Sequence, residues 1–178
     1  MSSFTLTPAH GYVVVSSSAI CFYGLIAGGL YVGGARSATF GAAWAKSDKA
    51  LALAETHKKE VGSEFPKNGY PDMGSGLFSQ TLTYGEWYRF NNAQRAHYNL
   101  VENFAPALGL HVLAGLFFPA PVAASSALWI AARHVWASNY ASAGPNARYG
   151  GIAGLHAACL LGWFGAAVYG GLKLAKAF

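Results

Sequence analysis

Three polar residues within one apolar stretch, Arg95, Asn99 and Glu102, are the side chains best suited to binding or chemistry. They are separated by four and three positions, so a helix would present all three on one face. A guanidinium, an amide and a carboxylate together offer donors and acceptors to a charged ligand with several hydrogen-bonding groups. Two structural alternatives are an ion pair between Arg95 and Glu102 and an arginine that extends to a polar interface.

The composition places this cluster in a membrane protein. The chain has 178 residues, of which 53% are hydrophobic and only 11% are charged, a balance too apolar for an ordinary soluble domain. A spanning helix needs about 20 mostly apolar residues, and four stretches provide them. We predict one all-α integral membrane domain over residues 1–178, with spans at about 11–34, 86–118, 122–140 and 150–172.

The connections between these spans predict their arrangement. Spans two, three and four are joined by short turns, which is typical of an up-and-down bundle of four transmembrane helices. Residues 37–85 form a longer connection, in which the segment 40–61 alternates apolar and charged residues. Two interpretations of this segment are open: an amphipathic helix on the membrane surface, or a solvated helix that continues the first span.

Charge and topology bring further residues to the cluster. Most Lys and Arg residues lie on the side of the long connection, so the positive-inside rule directs that side to the cytosol or to the matrix or stroma of an organelle. In an antiparallel bundle, the start of span two lies level with the end of span three and the start of span four. We therefore expect Trp136, Tyr140 and Arg148 to join Arg95 and Asn99 in a basic, aromatic-lined pocket for an anionic ligand.

A family resemblance begins in the same stretch. Residues 90–102, with the sequence FNNAQRAHYNLVE, closely resemble the second-helix signature of the MAPEG family, the membrane-associated proteins of eicosanoid and glutathione metabolism. The nearest likeness within the family is to the type 3 microsomal glutathione transferases. It continues through the spacing of Arg133, Trp136, Tyr140, Pro145 and Arg148.

The resemblance implies a ligand, an assembly and roles for individual residues. Members of the family form homotrimers that bind glutathione between protomers, so we expect glutathione as co-substrate, an apolar lipid-like second substrate and no metal. Trp136 and Tyr140 would line the pocket. Arg148 would be the catalytic residue, because its charge would stabilise the glutathione thiolate. The other glutathione-binding residues implied by the resemblance are Arg95, His97, Asn99 and Glu102.

Three departures from the family pattern limit what it implies. Trp136 stands where many members have tyrosine, and Asn103 stands where the leukotriene-synthesising members have tyrosine. The connection 37–85 is also longer than the family norm. These differences argue against a leukotriene synthase, and they leave glutathione binding as the expectation.

Two functional hypotheses from different classes follow. The first is an enzyme that conjugates glutathione to apolar electrophiles or reduces lipid hydroperoxides with glutathione. The second is an accessory subunit of a larger respiratory or photosynthetic membrane complex, for which the long connection would supply a docking surface. A haem site at His97 and His111 is disfavoured, since Pro106 between them should kink the helix.

The sequence also bounds the location and the partners. A multi-pass protein of the endoplasmic reticulum, or of a mitochondrial or plastid membrane, fits the pattern. The Lys and Arg residues are dispersed and several stand beside Asp or Glu, which argues against nucleic-acid binding. Membrane lipids and further copies of the chain, or other subunits, are the expected partners besides glutathione.

Overall fold

A bundle of four long helices forms the body of the protein. The computed structural model describes residues 5–175, and the remaining terminal residues of the predicted domain lie outside that range. All regular secondary structure in residues 5–175 is helical, which confirms the predicted all-α class. The helices are α1 (Pro8–Gly28), α2 (Gly34–Thr39), α3 (Ala42–Ala45), α4 (Asp48–Glu60), α5 (Tyr84–Phe117), α6 (Pro119–Ala143) and α7 (Leu155–Leu174).

Three helical segments are long and apolar enough to cross a membrane. They cover Pro8–Ala45, Tyr84–Phe117 and Gly151–Leu174. The helix α6 is long enough but less apolar, and it packs against α1, α5 and α7 at once. Its polar residues Ser126 and Arg133 are buried inside the bundle, where they do not face lipid. Length and composition therefore support three of the predicted spans, and the position of α6 in the bundle is the argument for a fourth.

Local sequence rules account for the ends of the long helices. The α5 helix begins with a capping box, in which the Thr83 backbone N–H donates to the Glu86 carboxylate at 2.9 Å. It continues through Pro106 to Phe117. The next helix starts at once with Pro119 in its first turn, where a missing N–H has no effect. The α6 helix ends at Ala143, and the residue that follows it, Gly144, has a φ of +85°, a value that favours glycine.

Side chains of other helices supply partners for a buried histidine in the bundle interior. His111 of α5 is fully buried, and its two ring nitrogens each lie 3.1 Å from a serine hydroxyl of α1, Ser16 and Ser17. Its ring also meets the indole of Trp163 edge-on, with centroids 5.0 Å apart. Such pairing is stabilising at membrane depth, because no water is present there to complete the hydrogen bonds of His111.

The first helix passes into α2 through a π-helical turn. Residues Gly29–Gly33 form this turn without ending the helix, so helical backbone runs from Pro8 to Thr39. A π turn places one extra residue in the turn. The first span thus continues beyond its predicted end, and α4 is a separate helix further along the chain.

The long connection folds into a compact unit, residues 40–82, which we call the platform. Its small core contains Phe40, Trp44 and Ala50 and includes Phe90 from α5. The Phe40 ring packs edge-on against both Trp44 and Phe90, with centroids 5.0 Å apart in each case. The indole N–H of Trp44 donates to the Thr81 hydroxyl at 2.8 Å. These contacts fix the platform on the first turns of α5.

A buried arginine fastens the platform to α2. Arg36 is only 3% exposed, and its guanidinium donates to the carbonyl oxygens of Gly69 at 3.2 Å and Asp72 at 2.6 Å. The same group lies over the Tyr70 ring, 4.1 Å from its centroid. A guanidinium removed from water needs such acceptors and rings around it. The loop around residues 68–73 is therefore held by the end of α2.

The carboxylate of Asp72 organises the next turn of the platform. It accepts hydrogen bonds from the backbone N–H groups of Ser79 and Gly74, each at 2.7 Å, and of Gly76 at 3.0 Å. The Ser79 hydroxyl donates a fourth bond at 2.8 Å. Burial alone would raise the pKa of Asp72, but these hydrogen bonds outweigh it and hold the pKa below its usual value.

We predict that Asp72→Asn loosens the platform. The amide removes the charge and turns an N–H₂ group towards backbone donors, which should cost about 2 kcal/mol locally and accelerate amide exchange at Ser79 and Gly74 about 30-fold. Hydrogen-exchange mass spectrometry of the purified protein measures this. Glu64→Gln, at an exposed platform carboxylate, is the matched control and should leave exchange unchanged. Equal exchange in Asp72→Asn and wild type would contradict the assignment.

The Asp72 carboxylate also predicts that the stability of the platform depends on pH in the acid range. Since the folded pKa lies below the unfolded value of about 4, the stabilisation is complete above that pH and is lost as pH falls through the folded pKa. Amide protection in the platform should decrease in this acid range in wild type. The Asp72→Asn variant should lack that part of the pH dependence.

Candidate functional site

The cluster predicted in span two lies on one side of α5. Arg95 and Glu102 are exposed and Asn99 is half-buried, and at 100° per residue the three fall within an arc of about 60°. Arg95 and Glu102 are two turns apart, about 10.5 Å along the axis. No ion pair joins them within residues 5–175. Because both side chains are exposed, both charged groups face outward from the bundle.

Asn99 is oriented by an arginine of α6. The Nη2 group of Arg133 donates to Oδ1 of Asn99 at 2.6 Å. Because a guanidinium can only donate, this bond fixes which end of the Asn99 amide faces the bundle interior. The Asn99 N–H₂ group is thereby left to donate to an acceptor elsewhere. The backbone carbonyl oxygen of Asn99 separately accepts a hydrogen bond from the side-chain N–H₂ group of Asn103 at 2.7 Å.

Arg133 itself is buried without an acidic partner. It is 1% exposed, its guanidinium lies 4.4 Å from the centroid of the Trp136 ring, and its Nε has no hydrogen-bond partner. No carboxylate bonds to it within the described part of the chain. The phenols of Tyr23 on α1 and of Tyr31 in the π turn are close enough to interact with its charge. The bundle therefore holds a cation directly behind the Arg95 cluster.

Two aromatic residues of α6 continue from Arg133 towards the loop before α7. The rings of Trp136 and Tyr140 have centroids 5.3 Å apart. Trp136 is 4% exposed and its indole N–H has no acceptor, while Tyr140 is half-buried. The structure thus connects Asn99, Arg133, Trp136 and Tyr140 through a series of contacts.

Arg148 lies in the loop between α6 and α7. Its guanidinium donates to the carbonyl oxygen of Pro145 and lies 4.9 Å from the Tyr149 ring centroid. It is half-buried, and neither of these two contacts involves Arg95, Asn99 or Glu102. The start of this loop packs on the beginning of α5, because Gly144 lies directly against the Tyr88 side chain. Arg148 is therefore at the same end of the bundle as the cluster, without touching it.

His97 points away from the other predicted residues. It lies two positions from Arg95, which is about 200° around the helix. Its Nε2 atom faces Gly28 of α1, at 3.3 Å from where a β-carbon on that glycine would lie. A ligand held by Arg95 on one chain is therefore out of reach of His97 on the same chain.

These features define a multi-pass membrane protein with a polar site on the outer side of its second long helix. Residues 20–169 match the family model of MAPEG, and this match covers most of the chain. The chain belongs to the MAPEG family, whose members include glutathione transferases and peroxidases. It matches none of the curated proteins and none of the solved structures with which it was compared.

Arg133 was expected from the sequence only as one residue of the family resemblance. Its signal was nevertheless present, because it is a charged residue inside a predicted span, and such residues usually have a buried partner or a function. Its bond to Asn99 depends on the register between α5 and α6. Among the described residues no group of three or more His, Cys, Asp or Glu side chains is arranged to hold a metal.

We predict that Arg133→Met leaves the thermal stability nearly unchanged. The buried guanidinium has a desolvation penalty of several kcal/mol, offset by one hydrogen bond and a cation–π contact, and methionine fills similar space without charge. The Tm in detergent, followed by tryptophan fluorescence, should move by only a few degrees. Arg133→Ala should lower it clearly, because it leaves a cavity. Equal losses in both variants would show that the guanidinium is chiefly a structural tie.

Proposed function

We propose that this protein is a membrane-bound glutathione transferase or glutathione-dependent peroxidase that acts on apolar electrophiles or lipid hydroperoxides. The observation that carries the proposal is the outward-facing set of Arg95, Glu102 and the oriented amide of Asn99. Membership of a family with such activities supports it. The substrates would enter from the bilayer, beside the helices that carry the site.

The charges of the site suit glutathione. This peptide carries an α-amino group, two carboxylates and amides, so it needs both donors and an acidic acceptor. Arg95 and the Asn99 N–H₂ group supply donors for a carboxylate, and Glu102 supplies an acceptor for the amino group. Tyr140 and Trp136 would line the pocket, and the unpaired indole N–H of Trp136 offers one further donor.

The orientation of His97 favours a site built from two copies. A role for both Arg95 and His97 in binding one glutathione requires that they come from adjacent protomers, since they face opposite directions on one helix. The exposed positions of Arg95 and Glu102 agree with a site completed by another chain. A homotrimer, as in the family resemblance, is the assembly that we propose.

The reaction would begin with the glutathione thiolate. A free thiol has a pKa of about 8.5, and lowering it by two units takes about 2.7 kcal/mol of preferential interaction with the anion. One partly desolvated arginine can provide an interaction of this size. We assign this role to Arg148, which is half-buried and lies in the loop at the same end of the bundle.

Both candidate reactions follow from that thiolate. In conjugation, its sulfur forms a bond to an electrophilic carbon and the leaving group departs with the electron pair. In hydroperoxide reduction, the sulfur attacks the terminal oxygen, the O–O bond breaks, and the alkoxide takes a proton to leave as an alcohol. The resulting glutathione sulfenic acid then reacts with a second glutathione to give the disulfide and water.

We predict that Arg148→Ala abolishes most turnover and retains binding. Losing about 2.7 kcal/mol of thiolate stabilisation returns the thiol pKa from about 6.5 to about 8.5, which lowers the thiolate fraction, and with it kcat, about 25-fold near neutral pH. A titration calorimetry measurement should still find glutathione binding within a few-fold of wild type. Arg148→Lys should recover part of the rate because it keeps the charge. An Arg148→Ala variant as active as wild type would remove this assignment.

We also predict complementation between two inactive variants. Arg95→Gln and His97→Ala should each weaken glutathione binding about ten-fold or more. If each site uses Arg95 of one protomer and His97 of another, co-expression in equal amounts should leave about a quarter of all sites intact, every one of them in a mixed trimer. Recovered binding at that level in the mixture supports the shared site. No recovery, with mixed assembly shown by two affinity tags, would contradict it.

The platform favours a second candidate, an accessory subunit of a larger membrane complex. It has its own core and exposes apolar side chains such as Leu51, Val61 and Leu77. Size analysis after mild solubilisation from the native membrane separates the two candidates. A free homotrimer would count against the subunit role, and a single copy in a large assembly would count against the shared site.

A further inference from the structure

A second concavity lies on the other side of α5 from the Arg95 cluster. It has a volume of about 450 Å³ and is enclosed by α2, the start of α5 and the end of α6. On α5 its wall is formed by Arg89 and Ala93, which are about 120° and 160° around the helix from Arg95. We call this cavity the Arg89 groove, and it has no role in the function proposed above.

Small side chains on all three helices create the space. Ala35 and Ala38 of α2, Ala93 of α5 and Ala141 of α6 line the groove where the helices face one another. Ala93 is 2% exposed, so the backbones approach closely at its base. Larger residues at these positions would fill the volume, which lies in the range of small-ligand sites.

One end of the groove is rigid and lies deeper in the bundle. The Tyr31 hydroxyl is fixed between the hydroxyl of Tyr23 at 2.9 Å and Nδ1 of His134 at 2.7 Å. Both Tyr31 and His134 line the groove, and Leu30 beside them is 53% exposed on its open side. Thr39 lies eight positions beyond Tyr31, about 12 Å further along the helix towards the platform.

The end nearer the platform carries a cation and hydroxyl groups. Arg89 is exposed, and its guanidinium donates no hydrogen bond to any other described residue. Its charge interacts electrostatically with Glu86, but that carboxylate is already bonded to Thr83 at the start of α5. Thr39 and Ser142 line the same end of the groove. A guanidinium beside hydroxyls recognises phosphate oxygens well.

We propose that the Arg89 groove binds a phosphate group carried by a membrane lipid. The phosphate would accept hydrogen bonds from Arg89, Thr39 and Ser142, and the acyl chain would leave the groove past Leu30. The geometry matches a bilayer, because the basic end lies at the same end of the bundle as the platform and the open apolar wall lies deeper. A free phosphate ion shares the headgroup chemistry but gains nothing from that apolar wall.

Calorimetric titration of the full chain in detergent tests the proposal with three probes: dioctanoyl phosphatidic acid, dioctanoylglycerol and inorganic phosphate. We expect the phosphatidic acid to bind once per chain, and the other two to bind at least about ten-fold more weakly. Dioctanoylglycerol binding as tightly as the phosphatidic acid would overturn the phosphate contact. Inorganic phosphate binding as tightly would overturn the lipid source.

Matched variants locate the site. Arg89→Gln should weaken phosphatidic acid binding about ten-fold and Arg89→Lys less so. Ala38→Phe should abolish binding by filling the groove without changing any charge. Lys46→Gln removes the same charge from the exposed surface of the platform, outside the groove, and should have an effect below about two-fold. An equal loss in Lys46→Gln and Arg89→Gln, or full binding by a folded Ala38→Phe variant, would overturn the proposal.

Discussion

The absence of water at membrane depth governs how this protein is built, because a polar group there depends on other groups of the chain for its hydrogen bonds. The buried guanidinium of Arg133 is the most demanding case. It has no acidic partner among the described residues, and it depends on the amide of Asn99 and the face of the Trp136 ring. Those two residues belong to the proposed glutathione site. The same bond that satisfies a buried cation therefore sets the direction of a ligand-binding amide.

Outside the bilayer, the platform is stabilised by a different pattern of hydrogen bonds. The platform is held by backbone groups that converge on single charged side chains: carbonyl oxygens around Arg36, and N–H groups around the Asp72 carboxylate. Each charge is bonded to several neutral backbone groups from loop segments that have no α-helix or strand to pair those groups. A short irregular chain can keep a fixed shape in this way, with only a small aromatic core around Phe40 and Trp44.

Much of the fold was predictable from the sequence, because runs of apolar residues and the turns between them are local signals. The all-α class and the shared face of Arg95, Asn99 and Glu102 follow from such periodicity. The folding of residues 40–82 was not predictable in the same way, because Arg36 bonds to carbonyl oxygens far along the chain and the turns around Asp72 have no periodic pattern. The direction of His97 follows from helical geometry, but its contact with Gly28 depends on how α1 packs. The Arg89 groove was missed, because a set of alanines on three helices leaves no periodic pattern.

The π turn at Gly29–Gly33 lets the two halves of the first long helix direct their side chains independently of each other. One extra residue rotates everything beyond it by about 100° relative to an uninterrupted α-helix. The half before the turn can therefore keep the orientation that packing in the bundle requires, while the half after it directs Arg36 into the platform. In evolutionary terms, such a turn changes the direction of the side chains that follow it. An extramembrane unit can thereby be joined to a four-helix bundle without altering the contacts inside the bundle.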